Sequence, residues 1–542
     1  MSFPFDVFLG LPFLLYAETH YRFRYFFSLL KKSEPELIAD APHRIEQNQP
    51  LPILILAKDS HRYPCVLRQV EVDLQRQGKS LVKEALLDHP VKLREPLWWK
   101  IWKVRNPGIE GWIDCDVTMT IERQGSTKLY HNDNHITSSR KPLRVFLSKD
   151  PLPCFPGLYL GDAHTHSDYT DDPVEFGSPL MASKELSKAM GLSFFCVTDH
   201  SYDLDDRIDN YLLNDPSLPK WKDFKNKVQS INKSDNRFVV IPGEEVSCRN
   251  GKGENVHLLL YGNEVFFHGS GDGAEKWLRT RSEHSLDEVI QQKETSAAAF
   301  ASHAKEQVPF LQKLLLKRGH WHTPDLTHDG LDGLQFANGN VNDGFLAGYN
   351  EWIRLLLKGK QLLTIAGNDS HGNFNRFRQV GFPFFKVVEK DTQIFGKMRT
   401  AVFLEKRLSE KSILAALKRG SFIITDGPIL NLRKKGQRSL TSIGQEYRDK
   451  SLTFRVSALT TKEFGTIERL KVLMGKIGSH AEEQILSESS QGLQYENNVS
   501  ITATEPGYVR AEAFTSRENS SDGQFHFCYT NPVWLHPKGS SL

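Results

Sequence analysis

The sequence predicts an α/β architecture, a seven-stranded barrel-like region framed on both sides by β structure. Three observations carry that expectation. Strand-like and helix-like runs alternate after Gly157, the mark of a parallel α/β arrangement. Residues of metal-ligand type stand at the C-terminal ends of those strands, where barrel enzymes gather groups from separate βα loops. On either side the rhythm gives way to short alternating strands broken by turn signals. The expected division is an N-terminal segment and β-sandwich-like domain over 1–155, a barrel over 156–427 and a C-terminal β domain over 428–542.

The first β region covers residues 50–153. PILILAK, CVLRQVEVDL, WWKIWKV and GWIDCDVTMTIER alternate or run apolar between the turns KDSHRYP, DHP and RNPG. Strands of that length and spacing suggest a sandwich, and LPCFPG punctuates its end. Composition supports several cores, with 39% hydrophobic and 25% charged residues. A formal net charge of +3 argues against nucleic acid or an anionic membrane as the main partner. The six cysteines form no C-x-x-C pair, which fits reduced, buried thiols in a cytoplasm-like compartment. No run reaches the roughly 18 apolar residues of a membrane span. The apolar start MSFPFDVFLGLPFLLYAETHYRFR leaves export as an alternative address. Its core is short, though, and Asp6 precedes it with no Lys or Arg.

In the central region LYLGDAH reads as a strand, and SPLMASKELSKAMG as a helix. Ser178 is its expected N-cap, with Pro179 at the first helical position and Gly191 as the stop. FFCVTDH, RFVVIPGEEVS and NVHLLLYG follow as strands, separated by a polar insertion over 201–236. A second insertion spans 262–296. TSAAAFASH, LDGLQFANG and QLLTIAGNDSH complete the strands, with helices through VPFLQKLLLKRG and FLAGYNEWIRLLLKG. Both insertions follow strands on the expected active face, so they are candidates for a lid. After Pro428, SLTFRVSAL, IERLKVLMG, NVSITATE, GYVRAEAFTS and HFCYTNPVWL return to β, and RKKGQR reads as a solvated hairpin loop.

Each barrel-like strand ends in ligand-type residues. His164 and His166 lie two apart, so an extended strand points both the same way, and Asp171 follows in the loop. His200 ends VTDH, Glu245 lies in IPGEEVS and His257 in NVHLLLYG. His303 ends TSAAAFASH, and Asp369 and His371 close AGNDSH. Six imidazoles and three carboxylates without cysteine suit catalytic divalent metal better than a closed structural zinc site.

The order H-x-H-x4-D, T-D-H, P-G-x-E, two further strand-end histidines and D-x-H resembles the PHP (polymerase and histidinol phosphatase) superfamily. SILAALKRGSFIITDGPIL and the closing YTNPVWL are similar to the CehA/McbA-type branch of that family. The resemblance implies a distorted (β/α)7 PHP-type barrel holding two or three divalent ions (Zn, Mn or Fe). All nine ligand positions are filled here, and the two departures, Thr170 and Asp172, remove none. It further implies a metal-bound hydroxide that cleaves a small-molecule ester. A phosphoesterase is the first expectation, a carboxylic or carbamic ester hydrolase the alternative, and a non-catalytic scaffold the alternative of another class. No protein general acid is identified.

Neighbouring residues have plainer readings. Asp162 and Asp199 flank ligands and are expected behind them, since ligating imidazoles usually donate their other N–H to such groups. Glu244 should face away from Glu245, as strand neighbours do. Lys305, Arg376 and Arg378 follow ligands and are candidates for an anionic substrate, although each is also an ordinary surface cation. His320, His322 and His328 are expected at a surface or pocket rim. NGKGENVH reads as a hairpin, since it lacks the spacing and following helix of a phosphate loop. No G-x-S-x-G elbow supports a serine nucleophile.

Overall fold

The computed structural model describes residues 34–537 apart from 47–48, 135–139, 171–176, 209, 270–271, 273–279, 377–390 and 517–524. The apolar N-terminal stretch, Asp171 and Arg378 therefore lie outside the described residues. Among the described residues no helix is long and apolar enough to cross a membrane. The chain divides into two compact units. One comprises Met1–Pro151, Thr170–Gly191 and Ser370–Phe395, and the other Leu152–Tyr169, Leu192–Asp369 and Gly396–Leu542.

In the first unit, Glu36–Asp40, Leu51–Lys58 and Leu97–Val104 form an antiparallel sheet of three strands. A second sheet places Leu143–Leu147, Gly111–Arg123, Cys65–Arg76 and Lys79–Ala85 side by side, all antiparallel. Alternation explains the packing. Ile113, Cys115, Val117, Met119 and Ile121 are buried on one face of their strand, and Val70, Val72 and Leu74 join them in the same core. The helix Leu180–Ala189 contributes Ala189 to that core. Its N-cap is Pro179 without a side-chain cap bond, so Ser178 does not play the role expected of it. Gly191 does follow the end, at φ +92°, a left-handed conformation that glycine adopts without strain.

The second unit is organised by one long, curled mixed sheet, and it corrects the expectation of a (β/α)7, TIM-barrel-like fold. Leu158–His166, Phe194–Val197 and Val239–Arg249 do run parallel. Asn255–Tyr261 then turns back antiparallel to Val239–Arg249 through the five-residue hairpin 250–254, and Ala298–Ala301 is antiparallel to it in turn. No helix separates Val239–Arg249 from Asn255–Tyr261. Parallel pairing resumes from Ala298–Ala301 through Gly333–Asn338 to Leu363–Gly367. On the other flank Leu158–His166 pairs antiparallel with Arg399–Phe403.

The sheet does not stop where a separate C-terminal domain was expected. Arg399–Phe403 pairs with Phe422–Thr425, and that strand pairs with His526–Thr530. Gly507–Thr515, Ile467–Lys476 and Glu483–Glu488 extend it antiparallel. Ile429–Lys434, Ser451–Leu459 and Gln494–Thr502 form a separate three-stranded sheet. Strand therefore dominates the unit. Its longer helices, Pro219–Ser234, Asp343–Leu357 and Glu410–Arg419, are too few to alternate with seven strands. Asp343–Leu357 lays Phe345, Trp352, Leu355 and Leu356 into a core shared with Phe336 and Leu334.

Candidate metal centre

Strand geometry builds the site. His164 and His166, two residues apart on the Leu158–His166 strand, point to one side, and their Nε2 atoms stand 3.3 Å from each other. The Val239–Arg249 strand, on the far side of Phe194–Val197 in the sheet, brings Glu245 to them. Its Oε2 lies 3.3 Å from His164 Nε2, 3.4 Å from His166 Nε2 and 3.1 Å from His200 Nδ1. Its Oε1 lies 2.9 Å from His257 Nδ1 and 3.2 Å from His303 Nε2. Asp369 Oδ1 completes the group at 3.1 Å from His166 Nε2 and 3.4 Å from His164 Nε2. Seven of the nine expected ligands are thus brought together in the second unit. Asp171 lies outside the described residues, and His371, half-buried in the strand Ser370–His371, belongs to the first unit.

Packing and backbone hold this arrangement. Gly367 permits a close approach: a Cβ there would sit 2.5 Å from His164 Cβ and 2.6 Å from its backbone nitrogen. His303 and Asp369 both have positive φ, 29° and 51°, a strained choice for histidine in particular. Ser302 donates to Glu245 Oε1 at 2.8 Å. Tyr261 Oη donates to the Ala163 carbonyl at 2.6 Å, bracing the strand that carries the paired histidines.

The electrostatics follow from two carboxylates among five imidazoles. Burial alone would raise the Glu245 carboxyl, but His257, His164 and His200 outweigh it and hold the group well below the usual carboxylate range. Asp369 is likewise held well below that range against its burial, chiefly by His164 and His166. Burial works against charging the imidazoles, yet the carboxylates raise His166 and His257 to about 9. Glu245 Oε2 and His257 Nδ1 are nevertheless buried without a hydrogen bond of good geometry among the described residues. Imidazole nitrogens and carboxylate oxygens this close together, with two buried atoms left over by the hydrogen bonds, are donors of the kind a divalent cation takes, so they fit such an ion. They fall into two groups that share Glu245. One holds His164, His166, Glu245 and Asp369, the other His200, Glu245 and His257.

The flanking residues settle several expectations. Asp162 supports backbone rather than imidazole. It accepts from the backbone nitrogens of His164, Asn368 and Gly396 and from Asn368 Nδ2, and burial pushes its carboxyl up to about 6. Asp199 accepts from the backbone nitrogen and hydroxyl of Ser167, both at 2.6 Å, securing the turn after His166. The groups that face the outer imidazole nitrogens escaped sequence reasoning. Gln335 Oε1 meets His164 Nδ1 at 2.9 Å, and Asp272 Oδ2 meets His257 Nε2 at 2.6 Å. A polar residue inside the apolar run LDGLQFANG was the available signal for Gln335, and Asp272 offered none.

Two of the three cations nominated for substrate, Lys305 and Arg376, are engaged elsewhere. Lys305 Nζ donates to the Trp321 carbonyl at 2.7 Å. Arg376, in the first unit, donates to the carbonyls of Lys141 and Pro142 at 2.5 and 2.6 Å and is 9% exposed, which marks a buried structural anchor. His322 pairs with Glu254 and His328 with Asp287, both away from the cluster, and Glu244 turns from Glu245 to accept from the Phe267 backbone nitrogen. The hairpin reading of NGKGENVH holds, with Asn250 Oδ1 accepting from Lys252 and Glu254. His303 and Asp369, 25% and 15% exposed, mark the side from which the cluster is reached. Glu306 lies near them, its carboxyl raised by burial against the pull of His303.

No family model matches the sequence, and no curated protein matches it. Similar solved structures include a protein from Archaeoglobus fulgidus, 14% identical over 19% of this chain and 95% of that one, with a TM-score of 0.14. A glycosyl hydrolase family 2 member from Bacteroides cellulosilyticus is 9% identical over 93% of this chain and 63% of its own, TM-score 0.16. A putative beta-galactosidase from Bacteroides fragilis is 9% identical over 93% and 74%, TM-score 0.19. TM-scores of this size do not describe a shared fold.

Proposed function

We propose that this chain is a metal-dependent hydrolase acting on an ester bond, with a phosphate ester as the first substrate class. The observation that carries the reading is Glu245, a single buried carboxylate common to both ligand groups, its Oε2 facing His164, His166 and His200 and its Oε1 facing His257 and His303. His164, His166, Glu245 and Asp369 would hold one divalent ion of the Zn, Mn or Fe type, and His200, Glu245 and His257 the other. The ligand order supports a place with the PHP metal-dependent hydrolases, and SILAALKRGSFIITDGPIL and YTNPVWL with their CehA/McbA branch, on ligands and sequence and not on a barrel. Bound ions would supply Lewis-acid polarisation of the scissile ester and acidification of a water.

The chain's own residues orient and exclude. Gln335 and Asp272 hold the outer nitrogens of His164 and His257, which leaves His164 Nε2 and His257 Nδ1 aimed at Glu245. Burial of His164, His166, Glu245 and His257 keeps bulk water from the deep side, so substrate approaches past His303 and Asp369. A carboxylic or carbamic ester is the second reading. It is favoured by one observation, that Lys305 and Arg376 spend their donors on backbone carbonyls.

The test is metal content of the purified protein together with hydrolysis of p-nitrophenyl phosphate and p-nitrophenyl acetate, for wild type, His166→Ala and Asp369→Ala. Bound metal and ester cleavage in wild type, both reduced in the variants, are expected. A wild type that holds no metal and cleaves neither ester after addition of Mn or Zn ends the hydrolase reading in favour of a binding protein.

A further inference from the structure

A second group of metal-ligand type lies outside the Glu245 cluster. Asp205 is fully buried, and its Oδ2 meets His268 Nδ1 at 2.8 Å. Its other oxygen, Oδ1, is buried and takes no hydrogen bond of good geometry among the described residues. Asp205, His268 and Glu283 each place a ligand atom within 4.8 Å of the other two. Burial raises the Asp205 carboxyl and Glu283 adds to the rise, against the pull of His268 and of the Asn214 side chain.

The surroundings hold a further buried carboxylate. Glu244 points to the face of its strand opposite Glu245 and accepts from the backbone nitrogen of Phe267, the neighbour of His268. Glu244 Oε2, like Asp205 Oδ1, is buried without a hydrogen bond among the described residues. Burial raises the Glu244 carboxyl well above the usual range, so the charge that the half-exposed His268 imidazole meets is that of Asp205 and Glu283. A single imidazolium balances one of them at most. The segment carrying His268 also presses close to the short helix Ser201–Leu204, since a Cβ on Gly269 would overlap the Ser201 side chain.

We propose that Asp205, His268 and Glu283 form a second divalent-metal site that ties His268 and Glu283 to Asp205 beside the short helix Ser201–Leu204. One imidazole with two carboxylates suits a first-row transition ion such as zinc or manganese, whereas magnesium and calcium favour all-oxygen sets. The positive ion fills the Asp205 oxygen, offsets the excess of carboxylates and replaces the proton of a bare His–Asp pair. With three protein ligands and an exposed Glu283, water completes its coordination. The role is structural, because the three residues belong to neither of the groups that share Glu245.

Zinc per chain, measured after equilibrium dialysis of the full-length protein, tests this in wild type, His268→Ala, Glu283→Gln and His166→Ala. Loss of one equivalent in His268→Ala, at least ten-fold weaker zinc binding in Glu283→Gln, and retention of that equivalent in His166→Ala are expected. Glu283 is exposed, so its variant tests the site even where His268→Ala fails to fold, and circular dichroism verifies both. Wild-type zinc content and affinity in folded Glu283→Gln overturns the site. So does a wild type binding no zinc beyond what His166→Ala removes. Failure of the hydrolase reading leaves this count unaffected.

Discussion

Two charged clusters buried in the second unit differ in how their charges are met. Arg510 is fully buried, and each of its three nitrogens finds a partner within the chain. Nε reaches Glu482 Oε1 at 2.6 Å, Nη1 reaches Glu512 Oε1 at 2.6 Å, and Nη2 reaches Glu482 Oε2 at 2.5 Å and Tyr349 Oη at 2.7 Å. The guanidinium also lies 5.4 Å from the ring centroids of Tyr349 and Trp352. Around Glu245, by contrast, five imidazoles crowd two carboxylates, and Glu245 Oε2 and His257 Nδ1 are left without hydrogen bonds among the described residues. A cluster that closes on itself is architecture. One whose donors converge on points the chain does not fill is built for something else.

The comparison breaks if Glu245→Gln behaves like a structural lesion. Gln keeps the shape but removes the anion that faces both sets of imidazoles. The expected outcome is the largest of the set: loss of metal and fall of ester hydrolysis to background. Folding should survive, because imidazoles relieved of their counter-charge can shed protons near neutral pH. Metal analysis with a thermal melt separates these outcomes. Wild-type metal content in a folded Glu245→Gln protein would remove Glu245 from the centre of the site.

Arg510→Ala should do the reverse. It strands the Glu482 and Glu512 carboxylates and leaves a cavity beside Tyr349, and breaking a buried pair in this way costs about 3–5 kcal/mol. A lower melting midpoint is expected, with metal content and activity per folded molecule unchanged. A loss of metal proportionate to the loss of stability would mean that the two clusters are coupled.

The same contrast bears on what could be read from sequence. His164 and His166 were legible because period-two alternation is local, and Glu245 because P-G-x-E ends a recognisable strand. Strands themselves were legible, whereas their directions were not. Alternation of apolar residues is the same in a parallel strand and in a hairpin partner, so Asn255–Tyr261 counted towards a barrel although it runs antiparallel to both neighbours. The continuation of the sheet into the tail depends on Ile423 pairing with Thr530, more than a hundred residues away, and no local pattern carries that. Arg510 stood in GYVRAEAFTS as an ordinary alternating charge. Only tertiary structure supplies Glu482 and Tyr349.

Asp272 provides the finest division between the two kinds of cluster, because it belongs in part to both. Its Oδ2 meets His257 Nε2 at 2.6 Å, while its Oδ1 accepts from Arg318 Nε at 3.2 Å. Buried as it is, its carboxyl stays below the usual range because Arg318 and His257 outweigh the cost of burial. The anion thus holds the His257 proton on Nε2 and leaves Nδ1 facing Glu245. Asp272→Asn keeps the volume but weakens that hold, since the amide can present either its oxygen or its NH2 group to the imidazole. Loss of a ligand's outer partner typically lowers metal affinity or activity about 10–100-fold. The expected result is weaker metal binding in that range, with activity recovered at high metal concentration and only a small change in melting midpoint. If Asp272→Asn instead destabilises the protein while the metal-free and metal-loaded forms melt together, Asp272 serves the Arg318 pair alone and belongs with Arg510, on the closed side of the comparison.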